Sequence, residues 1–432
     1  DHDDDIGTAH RKNMKAIPAA QRRIQRKATI FASLAISISI FIINNSIQNH
    51  ANDVVDIHGR SMHYDPMERP EDCTSDEIDV LRHQLPPTDC VSTKKQPWRQ
   101  KCSFTYATRC PDNPWLEDYF HSIHRNRIKL ASSTSSSNNN NDLDFLSLFI
   151  GCNKGMDAVN AMRMGSGNLI FDKEVWRKAM SKSEKLHSDV CGQSLTTQFS
   201  LDNNMSASSS LSYGHHRAKV HCVEPMPATY HKLNRSANEL GWDARGFVVT
   251  HAAIGKEDSI ASFPADTTAG VENIGLANGC GSGKCEDVIV YSLDTYMSKH
   301  VKGNNSPIHY LSIDVEGYDY DVIIGGLNDT IGRVNYLEFE YNWMGSWAKQ
   351  SLLEAIELLD QKGFTCYWPG TAGRIWRITG CWMDHYNIHM WSNVACINRN
   401  SQGMVSVGRD MERRFWNTLR LGKELQINSK SA

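Results

Sequence analysis

Past residue 142, hydrophobic positions come in short runs separated by stretches whose apolar residues recur at helical spacing. That alternation predicts a mostly parallel sheet wrapped by helices, an α/β fold. Strands are expected at 143–151, 219–225, 247–255, 309–314, 334–341, 364–369 and 393–399. Helices are expected at 155–164, 227–240, 319–325 and 349–362. The last contains SLLEAIELLDQKG, with Gly363 placed as its C-terminal stop. Residues 165–217 interrupt the rhythm and include the Ser-rich SASSSLS, so they read as a surface insertion. Residues 401–432 read as a charged C-terminal tail with one helix.

The first part of the chain has a different pattern. Residues 1–27 read as a basic cytoplasmic tail carrying Arg11, Lys12, Lys15, Arg22, Arg23, Arg26 and Lys27. An uncharged apolar run follows at 28–43, and neutral flanks extend it to 47. It is expected to act as a transmembrane signal anchor, with the basic side in the cytoplasm and the rest in a secretory lumen. A cleaved signal peptide and a buried helix are the alternatives. Residues 48–142 read as a lumenal stem that ends in the low-complexity linker ASSTSSSNNNND.

Composition narrows the class. The net charge of −3, with 40% hydrophobic and 22% charged residues, describes a folding chain without the basic excess of a nucleic-acid binder. Among the 12 cysteines, Cys73, Cys90, Cys102 and Cys110 cluster after the apolar run, and Cys280 and Cys285 flank GCGSGKC. In an oxidising compartment these read as disulfides, while Cys152, Cys222 and Cys396, inside apolar strands, read as buried thiols. No paired CxxC spacing suggests zinc. Sequons at Asn204, Asn234, Asn304 and Asn328 suit a secretory protein of the Golgi or endoplasmic reticulum.

Four expected strand ends carry unusual residues, and in open α/β sheets ligands collect there. FIGCNKG brackets a tight turn with Gly151 and Gly155, where backbone N–H groups can approach a ligand. VHCVEP ends on Glu224, an acid able to accept the hydroxyls of a nucleotide ribose. HAAIG offers small residues, Ala252 and Ala253, beside a flat ring. YLSIDVEGYDYDVIIGG releases Asp314 and Glu316 from an apolar strand into a Gly-led helix. Buried acids so close together are costly unless they bind something or share a proton. YLEFEYN places Glu338 and Glu340 on one face of the next strand, and at least one is expected to reach the same crevice.

In order and spacing these four pieces resemble the FkbM family of S-adenosylmethionine (SAM)-dependent methyltransferases over residues 143–400. The resemblance implies a Rossmann-like, seven-stranded class I methyltransferase sheet with helices on both faces. It implies SAM over the strand ends and methyl transfer to an oxygen, often of a sugar. Gly151, Asn153 and Gly155 match the first SAM loop, Glu224 the ribose acid, and Ala253 a residue beside adenine. Asp314 and Glu316 match the acids of the reacting centre, with Asp314 also counted toward the cofactor. One departure is Phe149, which stands where the family's first motif usually opens with an aspartate; the insertion is another.

On this reading Asp314 or Glu316 is the base for a hydroxyl acceptor, a glycan or small molecule, with a divalent metal as an option no motif supports. His251 is a weaker candidate base. Trp368, Trp376, Trp382 and Trp391, with Arg374 and Arg377, are expected to line a sugar-binding pocket. A lumenal glycosyltransferase using Asp314 and Glu316, or Asp319 and Asp321, on a metal is one alternative. A catalytically inactive binding module is the other.

Overall fold

A computed structural model describes residues 54–55, 61–62, 65–84, 115–116, 119–123, 145–182, 217–271, 283–301, 306–370, 373–387, 389 and 392–430. The apolar run at 28–43, the linker, Cys90, Cys102, Cys110, Cys280 and Trp391 lie outside these residues, as does most of the expected insertion. Among the described residues no helix is long and apolar enough to cross a membrane. The chain divides into residues 1–62 and 63–432. In the first unit, β1 (Val54–Val55) pairs antiparallel with β2 (Ser61–Met62).

The second unit is built on an eight-stranded sheet. In chain order its strands are β3 (Phe145–Ile150), β4 (Ala218–Glu224), β5 (Phe247–His251), β9 (Ile308–Ile313), β10 (Val334–Tyr341), β11 (Phe364–Pro369), β12 (Ile375–Arg377) and β13 (Ser392–Asn398). Their spatial order is β12-β11-β13-β10-β9-β3-β4-β5. β5, β4, β3, β9 and β10 run parallel, and β13 lies antiparallel between β10 and β11. The expected seven strands are all present, and the short edge strand β12 makes the eighth. β3 and β10 are buried at every position, as sheet strands covered on both faces should be.

The expected strand 247–255 is two strands in two sheets. After Ala252 the chain leaves β5 and enters β6 (Ala253–Gly255), which joins β7 (Ser259–Pro264) and β8 (Cys285–Ser292) in a three-stranded sheet of order β6-β8-β7. An unbroken apolar run gives no sign of the transfer.

Eight named helices surround the sheets among the described residues: α1 (Ser75–Arg82), α2 (Met156–Ser166), α3 (Lys173–Ser181), α4 (Pro227–Glu239), α5 (Leu293–His300), α6 (Asp319–Gly325), α7 (Leu352–Gln361) and α8 (Val405–Lys430). The start of the expected insertion is α3, capped by the Asp172 carboxylate, which accepts from the Glu174 and Val175 amides. Its Trp176 is fully buried and stacks on Trp242, with ring centroids 5.3 Å apart. Part of the stretch expected to be stem also belongs to this body. Trp115 donates to the Tyr336 hydroxyl at 3.0 Å, and Tyr119 donates to the His309 carbonyl at 2.5 Å.

Three disulfides close among the described residues: Cys73–Cys381, Cys152–Cys222 and Cys366–Cys396. Cys152, Cys222 and Cys396 are therefore not the thiols expected from their apolar settings. Cys366 and Cys396 face each other across β11 and β13. Cys285 is also disulfide-bonded.

Candidate active site

The chain crosses from β5 to the other side of β3 when it enters β9, so strand order reverses between β3 and β9. Crevices form at the carboxyl ends of strands at such a point. Here the crevice is lined by Gly151, Asn153, Glu224, Ala253, Asp314 and Glu316, so all four motifs meet in it.

The loop after β3 approaches β9 backbone to backbone. The Asp314 amide donates to the Ile150 carbonyl at 2.8 Å. Gly151 has φ 78°, and a Cβ there would sit 1.7 Å from the Asp314 carbonyl oxygen. Only glycine fits that position. Asn153, at φ 48°, turns its amide toward Glu224. Gly155 does not line the crevice; it precedes α2 and packs against Trp176 and Leu233. The Trp176 indole donates to the Lys154 carbonyl at 2.8 Å, so α3 supports the loop from behind.

Glu224 is 4% exposed, and both its oxygens are held. Asn153 N–H donates to Oε2 at 2.8 Å, and Met226 N–H donates to Oε1 at 2.9 Å. Burial pushes its carboxyl up to about 7, against the pull of these two amides. Each oxygen keeps a second lone pair for a hydroxyl donor. Beyond Glu224 the wall turns apolar, through Met226, Ala252, Ala253, Ile254, Phe263 and Val271. Phe263 comes from β7, a strand the sequence pattern does not reveal.

The opposite end is acidic. Asp314 is exposed to the crevice, and Glu316 holds a left-handed backbone, φ 55°, rare for a residue with a Cβ. The turn is pinned from outside: the Gly317 carbonyl accepts from Ser346 Oγ at 3.0 Å and Trp347 N–H at 3.2 Å. A Cβ on Gly317 (φ 95°) would lie 2.5 Å from the Met344 carbonyl carbon. Glu340 is buried beside this cluster: its amide donates to Asp319 Oδ1 at 3.2 Å, and burial, followed by Asp314 and Glu316, holds its carboxyl well above the ordinary range. Glu338 is held by other groups: Tyr310 and Tyr336 hydroxyls donate to it at 3.3 Å each, and the Asn393 amide at 3.0 Å. Asp319 is buried beside the cluster; in the sequence it reads only as one acid of a metal pair.

Several expected residues serve elsewhere. Phe149 packs edge-on against Tyr310 inside the sheet. His251 donates from Nε2 to the Pro225 carbonyl at 3.1 Å and stacks on Tyr230. Trp368 and Trp376 are buried core residues. Arg377 pairs with Glu412, and Arg374 donates to Gln84. Trp368, Trp376, Arg374 and Arg377 therefore belong to the β11–β12 edge and its contacts rather than to an open aromatic pocket. Among the described residues no group of three or more His, Cys, Asp and Glu side chains is arranged to hold a metal ion.

Residues 202–366 match the family model described as the Methyltransferase FkbM domain, a span from before β4 to the middle of β11. No curated protein and no solved structure matches the chain. The matched span contains Glu224, Ala253, Asp314 and Glu316, three of the four motifs that line the crevice. Over residues 202–366 the chain carries an FkbM methyltransferase domain.

Proposed function

We propose that the protein is a SAM-dependent O-methyltransferase acting on a hydroxyl of a sugar or glycan in the lumen of the secretory pathway. The carrying observation is the polarity of the crevice. One end is apolar, the middle holds a buried carboxylate with spare lone pairs, and the other end is acidic. That donor set fits SAM: a flat base against Ala253, Phe263 and Val271, a diol on Glu224, and a cationic end near Asp314 and Glu316. SAM, when bound, supplies an electrophilic methyl group and its own leaving group.

The chain's residues then have three tasks. Asn153 and Met226 amides fix the Glu224 carboxylate so that it orients the cofactor. The closely packed Gly151 and Asp314 backbones hold the two loops at one separation, and such alignment is worth effective molarities of about 10⁵–10⁸ M. Asp314 or Glu316 accepts the acceptor hydroxyl's proton, a contribution of about 10²–10⁴-fold.

The lumenal location is supported by the disulfides, one joining β11 to β13 and one joining β4 to the loop after β3, because such bonds persist in oxidising compartments. The basic and apolar N-terminal segment supports it through topology. The test is to incubate the oxidised protein with methyl-labelled SAM and a panel of monosaccharides and glycans. Label on a hydroxyl oxygen supports the reading; label on nitrogen, or none across the panel, contradicts the assignment of the acceptor.

A further inference from the structure

Two of the N-glycosylation sequons fall on described residues, and the fold treats them differently. Asn234 is half-buried within α4, where its Oδ1 accepts from the Asn238 side chain at 3.3 Å. Asn328 is exposed, in the turn 326–330 between α6 and the short 3-10 helix Ile331–Arg333 that leads into β10. The backbone of that turn is fixed by other groups. Asp294 on α5 accepts the Asn328 amide on Oδ2 at 3.3 Å and the Thr330 amide on Oδ1 at 2.9 Å. The Ile331 amide donates to the Gly326 carbonyl at 2.8 Å. The Asn328 side chain has no partner among the described residues. An exposed, uncommitted amide in a turn held by its neighbours can take a bulky, hydrated substituent without loss of packing or hydrogen bonds.

The turn also lies far from the crevice. It precedes the amino end of β10, where Val334 pairs with Ile308 at the amino end of the parallel strand β9. The crevice opens past the other end of β9, at Asp314. The six residues of β9 put about 20 Å between the two, at about 3.3 Å per residue.

We propose that Asn328 carries an N-linked oligosaccharide, at the end of the sheet opposite the crevice. In the transfer Asn328 Nδ2 bonds to C1 of the sugar and the bond from C1 to a lipid-linked diphosphate breaks. The diphosphate leaves with the electron pair, and the amide gives up one proton. The acceptor motif also requires a hydroxyl at its third residue. Here that residue is Thr330, which is 0% exposed, with Oγ1 buried and unpartnered. The transfer therefore precedes closure of the turn and takes place on the emerging chain. That the chain meets the donor rests on the lumenal reading; the choice of position rests on the fold.

The test is to express the full chain in eukaryotic cells, release N-glycans enzymatically in heavy-oxygen water, and map the resulting aspartates by peptide mass spectrometry. Heavy aspartate at position 328 is the result expected, with Asn328→Gln losing one step in gel mobility. An unmodified position 328 in a chain that carries sugar at another sequon overturns the proposal and leaves the lumenal reading standing. If no sequon is modified, the full chain is expressed behind a cleavable secretory leader that forces it into the lumen. Modification at position 328 then supports the site and removes the lumenal reading of the native chain. An unmodified position 328 in that protein overturns the site. The readout is made on the wild-type chain, so it does not depend on the folding of a variant.

Discussion

At the scale of single residues, Glu224 carries the sharpest expectation. Its carboxyl is raised from 4.5 to about 7 by burial, so the folded state without ligand should lose stability as pH rises across that interval. SAM affinity should move the other way, tightening as Glu224 ionises and can accept from two hydroxyls. Glu224→Gln should weaken SAM by about 10-fold or more, since a hydrogen bond to a charged group is worth about 1.5–3 kcal/mol, and abolish that pH dependence. Titration calorimetry across the interval checks both signs. Glu316 makes the opposite trade: a left-handed backbone is about 1–2 kcal/mol unfavourable for a residue with a Cβ. Glu316→Gly should therefore raise the thermal midpoint while abolishing methyl transfer. A lowered midpoint would show that the Glu316 side chain contributes more to the fold than its backbone costs.

At the scale of elements, α3 supports the first loop through one indole, and Trp176→Phe removes the hydrogen bond to Lys154. The expected loss is about 0.5–1.5 kcal/mol of stability, with weaker SAM binding, read by denaturant titration and calorimetry. The same helix shows where a sequence pattern falls short. β10, β11 and α6 have the bounds the pattern predicts, because their hydrophobic runs end at Gly, Pro or polar turns. α3 carries few apolar residues and borders a Ser-rich stretch, so its pattern is that of a surface segment. The β5–β6 transfer at Ala252 is illegible because one apolar run serves two sheets. Glu224, Ala253, Asp314 and Glu316 are legible because charged or small residues at the ends of apolar runs need a reason. Glu340 is legible as a neighbour, but not the bond from its amide to Asp319, which depends on how α6 packs on β10. Trp368 and Trp376 mislead because burial and ligand contact both favour tryptophan.

At the scale of the whole molecule, disulfides join distant parts of one body, and residue spacing predicts none of the three pairings among the described residues. Cys152–Cys222 ties the first loop to β4 over a sequence separation of 70, worth about 4 kcal/mol in the chain-entropy view. Reduction should lower the thermal midpoint and release the loop that holds Glu224, with SAM affinity falling in parallel. Cys73–Cys381 anchors the segment leading into α1 to the far edge of the sheet, across a separation of 308. The proposed methyl transfer depends on a base, a diol and a cation being recognised in sequence along one crevice. Titration calorimetry of the oxidised full chain with SAM tests this most directly, with Glu224→Gln as the control. Saturable binding that weakens in the variant is the result expected; no heat from folded wild-type protein at millimolar SAM would contradict it.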